Sequence, residues 1–325
     1  MTAERKPVMH IRPGWSKPST ILFATEIPAN PKALHFAIMQ AREFGATLVL
    51  FHVYDTMVVA SSETSGIRYY DFAAAARVEM RHIEPIAEQV REAGVPCEVV
   101  LRPGLAADQI LAYLREREID RVVMATRSPG AFGKLLVGSV AESVLRSSSV
   151  PTFVVGPQVV DAQYRNYATQ TVFCALALNE SSHVQASLAA HVAAQHHARL
   201  VLQHVIPPPV RTLDLSRQTV SEIERQLFSL VPESLRDTVE TEVIVVPGEP
   251  AEELLFQSRA QQADLIVLGA HAPTTLASFS SNGVVHQVLA QSQCPVLALS
   301  PLLIAASNAQ PQHVHATEAH LSSVS

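Results

Sequence analysis

The sequence predicts an α/β protein built from two tandem domains, each with a five-stranded parallel β-sheet flanked by helices. Three observations support this prediction. The 325-residue chain is longer than the usual domain of roughly 100–200 residues. Its two halves repeat one another, and short β-branched apolar runs alternate with helical patterns, as is typical of βαβ units.

The internal repeat shows directly in matching segments. LVLFHV at residues 48–53 recurs as LVLQHV at 200–205, an offset of 152 residues. Pro103-Gly104 recurs as Pro247-Gly248, an offset of 144. The second copy therefore lacks eight residues between these blocks, and the loop-like segment 61–66 of the first copy is the expected place.

Five strands and several helices are predicted from the periodicity of each copy. A helix begins after Asn30-Pro31, a cap followed by a first-turn proline, and ends at Gly45. Further helices are predicted at about 71–92 and 106–117. The predicted strands are about 20–25, 47–53, 97–101, 121–125 and 151–155 in the first copy, and 171–176, 199–205, 242–246, 265–269 and 295–299 in the second.

These elements give the domain boundaries. We expect a first domain at residues 1–157, a polar linker at 158–170, and a second domain at 168–302, whose first three residues overlap the linker. Residues 303–325 are rich in Ser, Gln and His without a regular period, so we expect a disordered tail. Its histidines, His313, His315 and His320, are better explained by solvation than by metal binding.

Composition excludes several classes of function. A formal net charge of −6 and only four lysines argue against nucleic-acid binding. The apolar runs are far shorter than the ~20 residues of a membrane helix, and the N-terminus does not have the composition of a secretory signal. We therefore expect a cytoplasmic protein without a membrane span. Cys97, Cys174 and Cys294 lie in or beside strands and should be small buried hydrophobic residues.

Candidate chemistry is expected where open parallel sheets bind ligands, beyond the carboxyl ends of the strands. After the fourth strand, residues 125–141 read ATRSPGAFGKLLVGSVA. Glycines there allow close approach of a phosphate, and Gly138-Ser139 opens a helix in which Val140 faces inward. The free N–H groups of such a helix start suit an anion.

With these residues, the chain resembles the universal stress protein family in its tandem form, over essentially residues 20–300. The resemblance rests on Gly-Ser-Val-Ala-Glu at 138–142 and on Val150-Pro151 at the last strand. It implies two Rossmann-like domains of the adenine nucleotide alpha hydrolase-like type. The nucleotide-binding branch has Gly, two residues, Gly, nine residues, then Gly with Ser or Thr. Here that spacing holds, but Ala125 and Ser128 replace the first two glycines.

The resemblance also implies which residues would touch a nucleotide, ATP or AMP, in the first domain. Glu26 matches the acid that holds the ribose hydroxyls, with one methylene more than the family residue, and Val53 matches the apolar residue against adenine. The full candidate set is Glu26, Val53, Ala125, Thr126, Arg127, Ser128, Gly138, Ser139 and Val140.

The second copy departs further from the same pattern. Its first strand ends at Ala177-Leu178-Asn179 without an acid, and its loop keeps Gly269 but has Ala272 at the second glycine position. Asn282-Gly283 replaces the Gly-Ser pair, and Asn282 could cap a helix in a purely structural way. We expect a degenerate second domain.

No catalytic residue and no metal site is predicted. Glycine-rich dinucleotide and P-loop motifs and a nucleophile elbow are absent from the sequence. His52 and His204 occupy the same position of a buried strand, which favours core or dimer-face histidines over an acid/base pair. His191, His196 and His197 are not spaced to share one face of a helix for metal ligation.

Two functional hypotheses remain. In the first, the first domain binds ATP or AMP and the protein is a non-catalytic, ligand-controlled module of the stress response. In the second, both copies are nucleotide-free and the protein is an interaction scaffold whose partner the sequence does not identify. The resemblance implies that the two domains pair through their last strands as an internal pseudo-dimer; the sequence leaves homodimerisation open.

Overall fold

The computed structural model describes residues 15, 17–54, 72–126, 137–160, 169–208, 216–269 and 283–309. Ten strands form one continuous sheet in the order β3-β2-β1-β4-β5-β10-β9-β6-β7-β8. Their bounds are β1 Thr20–Ala24, β2 Thr47–Tyr54, β3 Cys97–Pro103, β4 Arg121–Ala125, β5 Thr152–Val155, β6 Thr171–Ala175, β7 Arg199–Ile206, β8 Thr241–Pro247, β9 Leu265–Gly269 and β10 Val296–Leu299.

Ten helices cover the two faces of this sheet within the described residues. They are α1 Pro31–Phe44, α2 Phe72–Glu92, α3 Ala106–Glu116, α4 Ser139–Ser147, α5 Ser182–His196, α6 Arg217–Ser229, α7 Glu233–Arg236, α8 Pro250–Ala260, α9 Val284–Gln291 and α10 Pro301–Ala309. The predicted α/β class and the parallel five-stranded sheet of each copy are confirmed.

The first helix shows how local sequence fixes an element. The Asn30 side chain accepts a hydrogen bond from the N–H of Ala33 at 3.1 Å, which satisfies one of the free donors of the first turn. Gly45 ends α1 in the left-handed conformation, with φ of 64°. Both ends agree with the sequence prediction.

Two apolar layers hold the helices to the sheet. One layer contains residues of α1, α2, α5, α6 and α10, and the other contains residues of α3, α4, α8 and α9. Each layer runs through both domains, because the sheet itself is continuous. Cys174 and Cys294 are buried in these layers as predicted, while Cys97 is half-buried.

The two domains join through their last strands. Within each domain the strands are parallel, but β10 pairs with β5 in the antiparallel sense, with Val296 opposite Val154 and Ala298 opposite Thr152. The strand order reads the same from either end, so the two copies are related by a pseudo-twofold axis at this pairing. The expected pairing of the final strands is confirmed by this register.

A second contact between the domains involves the ends of two equivalent helices. The Nδ1 atom of His196, at the end of α5, lies 2.8 Å from Oε1 of Glu43 in α1. The His196 ring meets the Phe44 ring edge-on, with centroids 6.0 Å apart. His196 therefore has an interdomain role that its position in the sequence does not reveal.

A buried cation lies at the amino end of β4. The Arg121 side chain, 1% exposed, donates to the Trp15 carbonyl from Nε and Nη2 and to Gln40 Oε1 from Nη1, at 2.6–3.1 Å. Its guanidinium also lies over the rings of Phe44 and Phe153. Every described face of this charge therefore meets an acceptor or an aromatic ring.

Burial lowers the pKa of Arg121 to about 10, against the opposing influence of the Glu43 and Asp120 carboxylates. The guanidinium still carries its charge at neutral pH. Its hydrogen bonds are accordingly charge-assisted.

The chain end departs from the sequence prediction. Residues 303–309, expected to begin a disordered tail, belong to α10, in which Leu303 and Ile304 are buried. The Ser300 hydroxyl accepts from the N–H of Leu303 at 2.9 Å and donates to the carbonyl of Ser148 in the first domain. Residues 310–325 lie outside the described part of the chain. None of the described helices has the length and apolar character of a membrane span.

Candidate functional site

The candidate site lies where the strand order of the first domain reverses. β1 is central and pairs with β2 on one side and β4 on the other. The helix that follows β1 packs in one apolar layer, and the helix that follows β4 packs in the other. A crevice therefore opens at the carboxyl ends of β1 and β4, where such sheets bind ligands.

The segment after β1 brings an acid to this crevice. β1 ends at Ala24, and Glu26 is exposed two residues later. The N–H of Thr25 donates to the Phe51 carbonyl at 3.0 Å, and its hydroxyl donates to the Glu26 carbonyl at 2.8 Å. The backbone ahead of the carboxylate is thus tied to β2.

Val53 lies near the end of β2, which continues to Tyr54, one residue beyond the prediction. Its side chain is half-buried against the second apolar layer. It therefore presents an apolar surface at the same edge of the sheet as Glu26.

The end of β4 contributes a buried hydroxyl. Ala125 is the half-buried last residue of the strand, and the N–H of Thr126 donates to the Val155 carbonyl at 3.1 Å. Thr126 is 5% exposed, and its Oγ1 has no hydrogen-bond partner within the described residues. A buried hydroxyl without a partner is costly, so this atom is suited to a polar ligand or a water molecule. Arg127 and Ser128 lie outside the described residues.

Gly138 opens α4 in a conformation that favours glycine, with φ of 87°. It occupies the N-cap position, and Ser139 is the first helical residue. No side chain caps this helix start. The first-turn N–H groups of a helix, including that of Val140, have no acceptor within the helix itself, and this property suits an anion.

The equivalent helix start of the second domain shares the absence of a side-chain cap but not the positive φ. Gly283 opens α9 with an ordinary φ of −71°. After β6, Asn179 accepts hydrogen bonds from the N–H and the hydroxyl of Ser181, so its side chain organises the turn into α5. Gly269 ends β9 as predicted, whereas Ala272 and Asn282 lie outside the described residues.

The two repeated histidines have a role that sequence reasoning missed. His52 Nδ1 lies 2.9 Å from the Thr25 carbonyl, and His204 Nδ1 lies 2.8 Å from the Leu176 carbonyl. Each ring therefore contacts the residue that follows the first strand of its own copy. The recurrence of a histidine at the same position of the second strand in both copies was the sequence feature that could have indicated this role.

The other histidines do not form a metal centre in the described residues. His191 Nδ1 contacts the Ser187 carbonyl of its own helix at 2.7 Å, and His196 pairs with Glu43. No group of three or more His, Cys, Asp or Glu suited to a metal ion occurs in the ranges that the structure describes. The tail histidines lie beyond those ranges.

A cavity of about 700 Å³ lies elsewhere, between α1 and the amino ends of the strands of the second domain. Two of its charged groups are engaged within the second domain: Arg199 donates to Glu242 and Gln261, and Asp264 accepts from the N–H of Thr171. Because β10 is antiparallel to β5, the cavity lies at the same sheet edge as the carboxyl ends of the first domain's strands, but none of the described candidate site residues lines it.

Taken together, the fold and its strand order define a protein with two fused Rossmann-like domains. The Universal stress protein family profile matches residues 18–156 and 169–300. The chain belongs to the universal stress protein family, in a tandem form.

Individual relatives agree with this assignment. The universal stress protein YxiE of Bacillus subtilis is 30% identical over 133 residues, which cover 39% of this chain and 90% of that protein. A universal stress protein of Mycolicibacterium smegmatis is 25% identical over 281 residues, covering 83% and 92%. A crystal structure of a universal stress protein from Archaeoglobus fulgidus has a TM-score of 0.64 at 19% identity, covering 86% of this chain and 96% of that one. This last likeness concerns the fold.

Proposed function

We propose that this chain is a non-catalytic cytoplasmic protein of the stress response whose first domain binds an adenine nucleotide, ATP or AMP. The second domain serves as its structural partner and binds none. The observation that carries the proposal is the contrast between the two helix starts. Gly138 adopts a positive φ at the start of α4, whereas Gly283 has a φ that any residue can adopt. The first domain also has a buried hydroxyl, Thr126 Oγ1, without a partner among the described residues.

Each part of the crevice suits one part of a nucleotide. The first-turn N–H groups of α4 would bind phosphate oxygens, since a helix start carries partial positive charge. The Glu26 carboxylate would accept hydrogen bonds from the ribose hydroxyls, and Val53 would pack against the base. Thr126 Oγ1 would gain the hydrogen bond that it lacks in the described structure.

One observation favours the scaffold as a second candidate. Ala125 and Ser128 each carry a Cβ where the pattern implied by the family resemblance has glycine. Wherever the bound loop needs a positive φ, each Cβ costs about 1 kcal/mol. The protein would then act through its surfaces alone.

The first test asks what the purified protein carries. Protein prepared without added nucleotide is heat-denatured, and any released nucleotide is identified by chromatography and mass spectrometry. Close to one adenine nucleotide per chain supports the proposal. None released, with no binding of added millimolar ATP, favours the scaffold. Steady release of ADP from ATP would contradict a non-catalytic role.

The second test assigns binding to one domain. Gly138→Asp should abolish ATP binding, because its carboxylate would meet the phosphates at the start of α4. Gly138→Ala introduces the same backbone strain without the charge and should weaken binding less. Gly283→Asp is the matched control and should leave the affinity unchanged. Equal losses at both glycines would overturn the assignment.

A further inference from the structure

His52 and His204 make the same contact in both copies, which points to a shared task. A carbonyl oxygen can only accept a hydrogen bond, so Nδ1 of each ring carries the proton and donates it. The acceptor in each case is the first residue beyond the first strand, Thr25 or Leu176. The histidine side chain thus bonds the residue after the first strand to the second strand, beyond the point where the backbone pairing of the two strands ends.

In the first domain this attachment ends next to the candidate ligand acid. The β1–β2 ladder stops with Ala24 opposite Phe51. Beyond it, the N–H of Thr25 is bonded to Phe51 and the carbonyl of Thr25 to His52. Both polar backbone groups of Thr25 are therefore held by β2, and Glu26 leaves from a fixed point.

The far side of the His52 ring differs between the copies. Nε2 of His52 lies 3.6 Å from Oε2 of Glu79 in α2, and Glu79 also lies 3.8 Å from Nδ1 of His82. At the offset of 144 residues, the second copy has Ile223 in place of Glu79. A carboxylate thus lies near the ring in the first domain, and an apolar side chain occupies the equivalent position in the second.

Buried residues around Glu79 and Ile223 establish this equivalence. Ile83 and Leu227 are both fully buried one turn further along their helices. Ala87 and Val231 are likewise both buried, again 144 residues apart. The helices therefore present matching faces to the sheet.

We propose that His52 is a positioning residue of the nucleotide site: it holds Thr25 so that the Glu26 carboxylate reaches the ribose. This inference rests on the proposed function of the first domain. His204 performs only the structural part of the task, because no acid follows β6 at the corresponding place.

The test compares three variants by ATP titration calorimetry, thermal unfolding and hydrogen exchange of the ligand-free protein. His52→Leu removes the donor and should raise the Kd for ATP about tenfold, the equivalent of one hydrogen bond. His52→Asn places an amide N–H near the position of Nδ1 and should restore most of the affinity. His204→Leu should lower the unfolding temperature as much as His52→Leu does, with an unchanged Kd.

Hydrogen exchange and a Glu79 variant separate the positioning role from nucleotide binding itself. In His52→Leu, amides of the peptide 24–30 should exchange about tenfold faster, and His52→Asn should slow them again. Glu79→Ile, which copies the second domain, should raise the Kd by only about threefold. Wild-type affinity and wild-type exchange in His52→Leu would overturn the inference. If the wild type binds no ATP but exchange responds as stated, the proposed function fails while the positioning role stands.

Discussion

Replacing Arg121 by leucine should destabilise the first domain by about 3 kcal/mol. The substitution leaves two buried acceptors without donors, Gln40 Oε1 and the Trp15 carbonyl. Each orphaned group costs about 1–3 kcal/mol, and removing the buried charge itself offsets part of the sum.

The second domain supplies the compensating change. Leu265 and Val192 occupy the positions equivalent to Arg121 and Gln40, and both are buried. The double variant Arg121→Leu with Gln40→Val therefore copies an arrangement that this fold already contains. The double variant should recover all but about 1 kcal/mol of the lost stability, because Gln40→Val removes the buried amide that Arg121→Leu leaves without a donor.

The assay is urea unfolding followed by tryptophan fluorescence. Trp15 is the single tryptophan of the sequence and is buried in the first domain, so its emission reports that domain alone. A loss of about 3 kcal/mol lowers the midpoint by roughly 1–2 M urea at an unchanged slope. The reasoning is refuted if Arg121→Leu unfolds at the wild-type midpoint, or if adding Gln40→Val brings no recovery.

Two further substitutions test the contacts between the domains. His196→Phe keeps an aromatic ring but removes the hydrogen bond to the partly exposed Glu43, so the free energy of unfolding should fall by about 1 kcal/mol. Arg42→Ala, at an exposed residue of the same helix as Glu43, serves as control. Equal effects of the two substitutions on the fluorescence midpoint would contradict the interdomain role. Leu303→Ala should cost about 2–5 kcal/mol in calorimetric unfolding. Leu302→Ala should stay within about 0.5 kcal/mol, because Leu302 is 53% exposed and Leu303 only 1%. Similar values for the two leucines would show that α10 does not dock.

The strands could be predicted because each is a short apolar run flanked by turn residues. β4 and β9 lie at the same offset in the two copies, and their bounds, Arg121–Ala125 and Leu265–Gly269, match the sequence prediction. Internal repetition added independent evidence for each strand, since the same pattern had to hold twice. Pairing of the final strands followed from the family resemblance rather than from the residues.

The chain end could not be predicted in this way. Residues 303–325 show no regular period, and the prediction of a disordered tail relied on that pattern alone. What orders α10 is a surface supplied by distant residues, including the Ser148 carbonyl about 150 positions away. A local pattern contains no information about such a partner.

The site was predictable only in its outline. Gly138 and the spacing of its motif could be read from the sequence, but its positive φ and the missing cap are properties of the folded loop. Whether the Thr126 hydroxyl has a hydrogen-bond partner depends on the residues that surround it in the folded protein. The contact between His52 and Thr25 likewise depends on the folded structure. The residue types alone indicate neither the partnerless hydroxyl nor the histidine contact.

Fusion of the two copies into one chain releases their interface from self-complementarity. In a dimer of identical subunits, every contact across the twofold axis must occur twice. Here Glu43 meets His196, whereas the symmetry-related positions are Gln195 and Phe44, which cannot form an ion pair. The two sides of the junction can therefore change independently. A substitution that would alter two symmetric contacts in a homodimer alters only one contact in this chain.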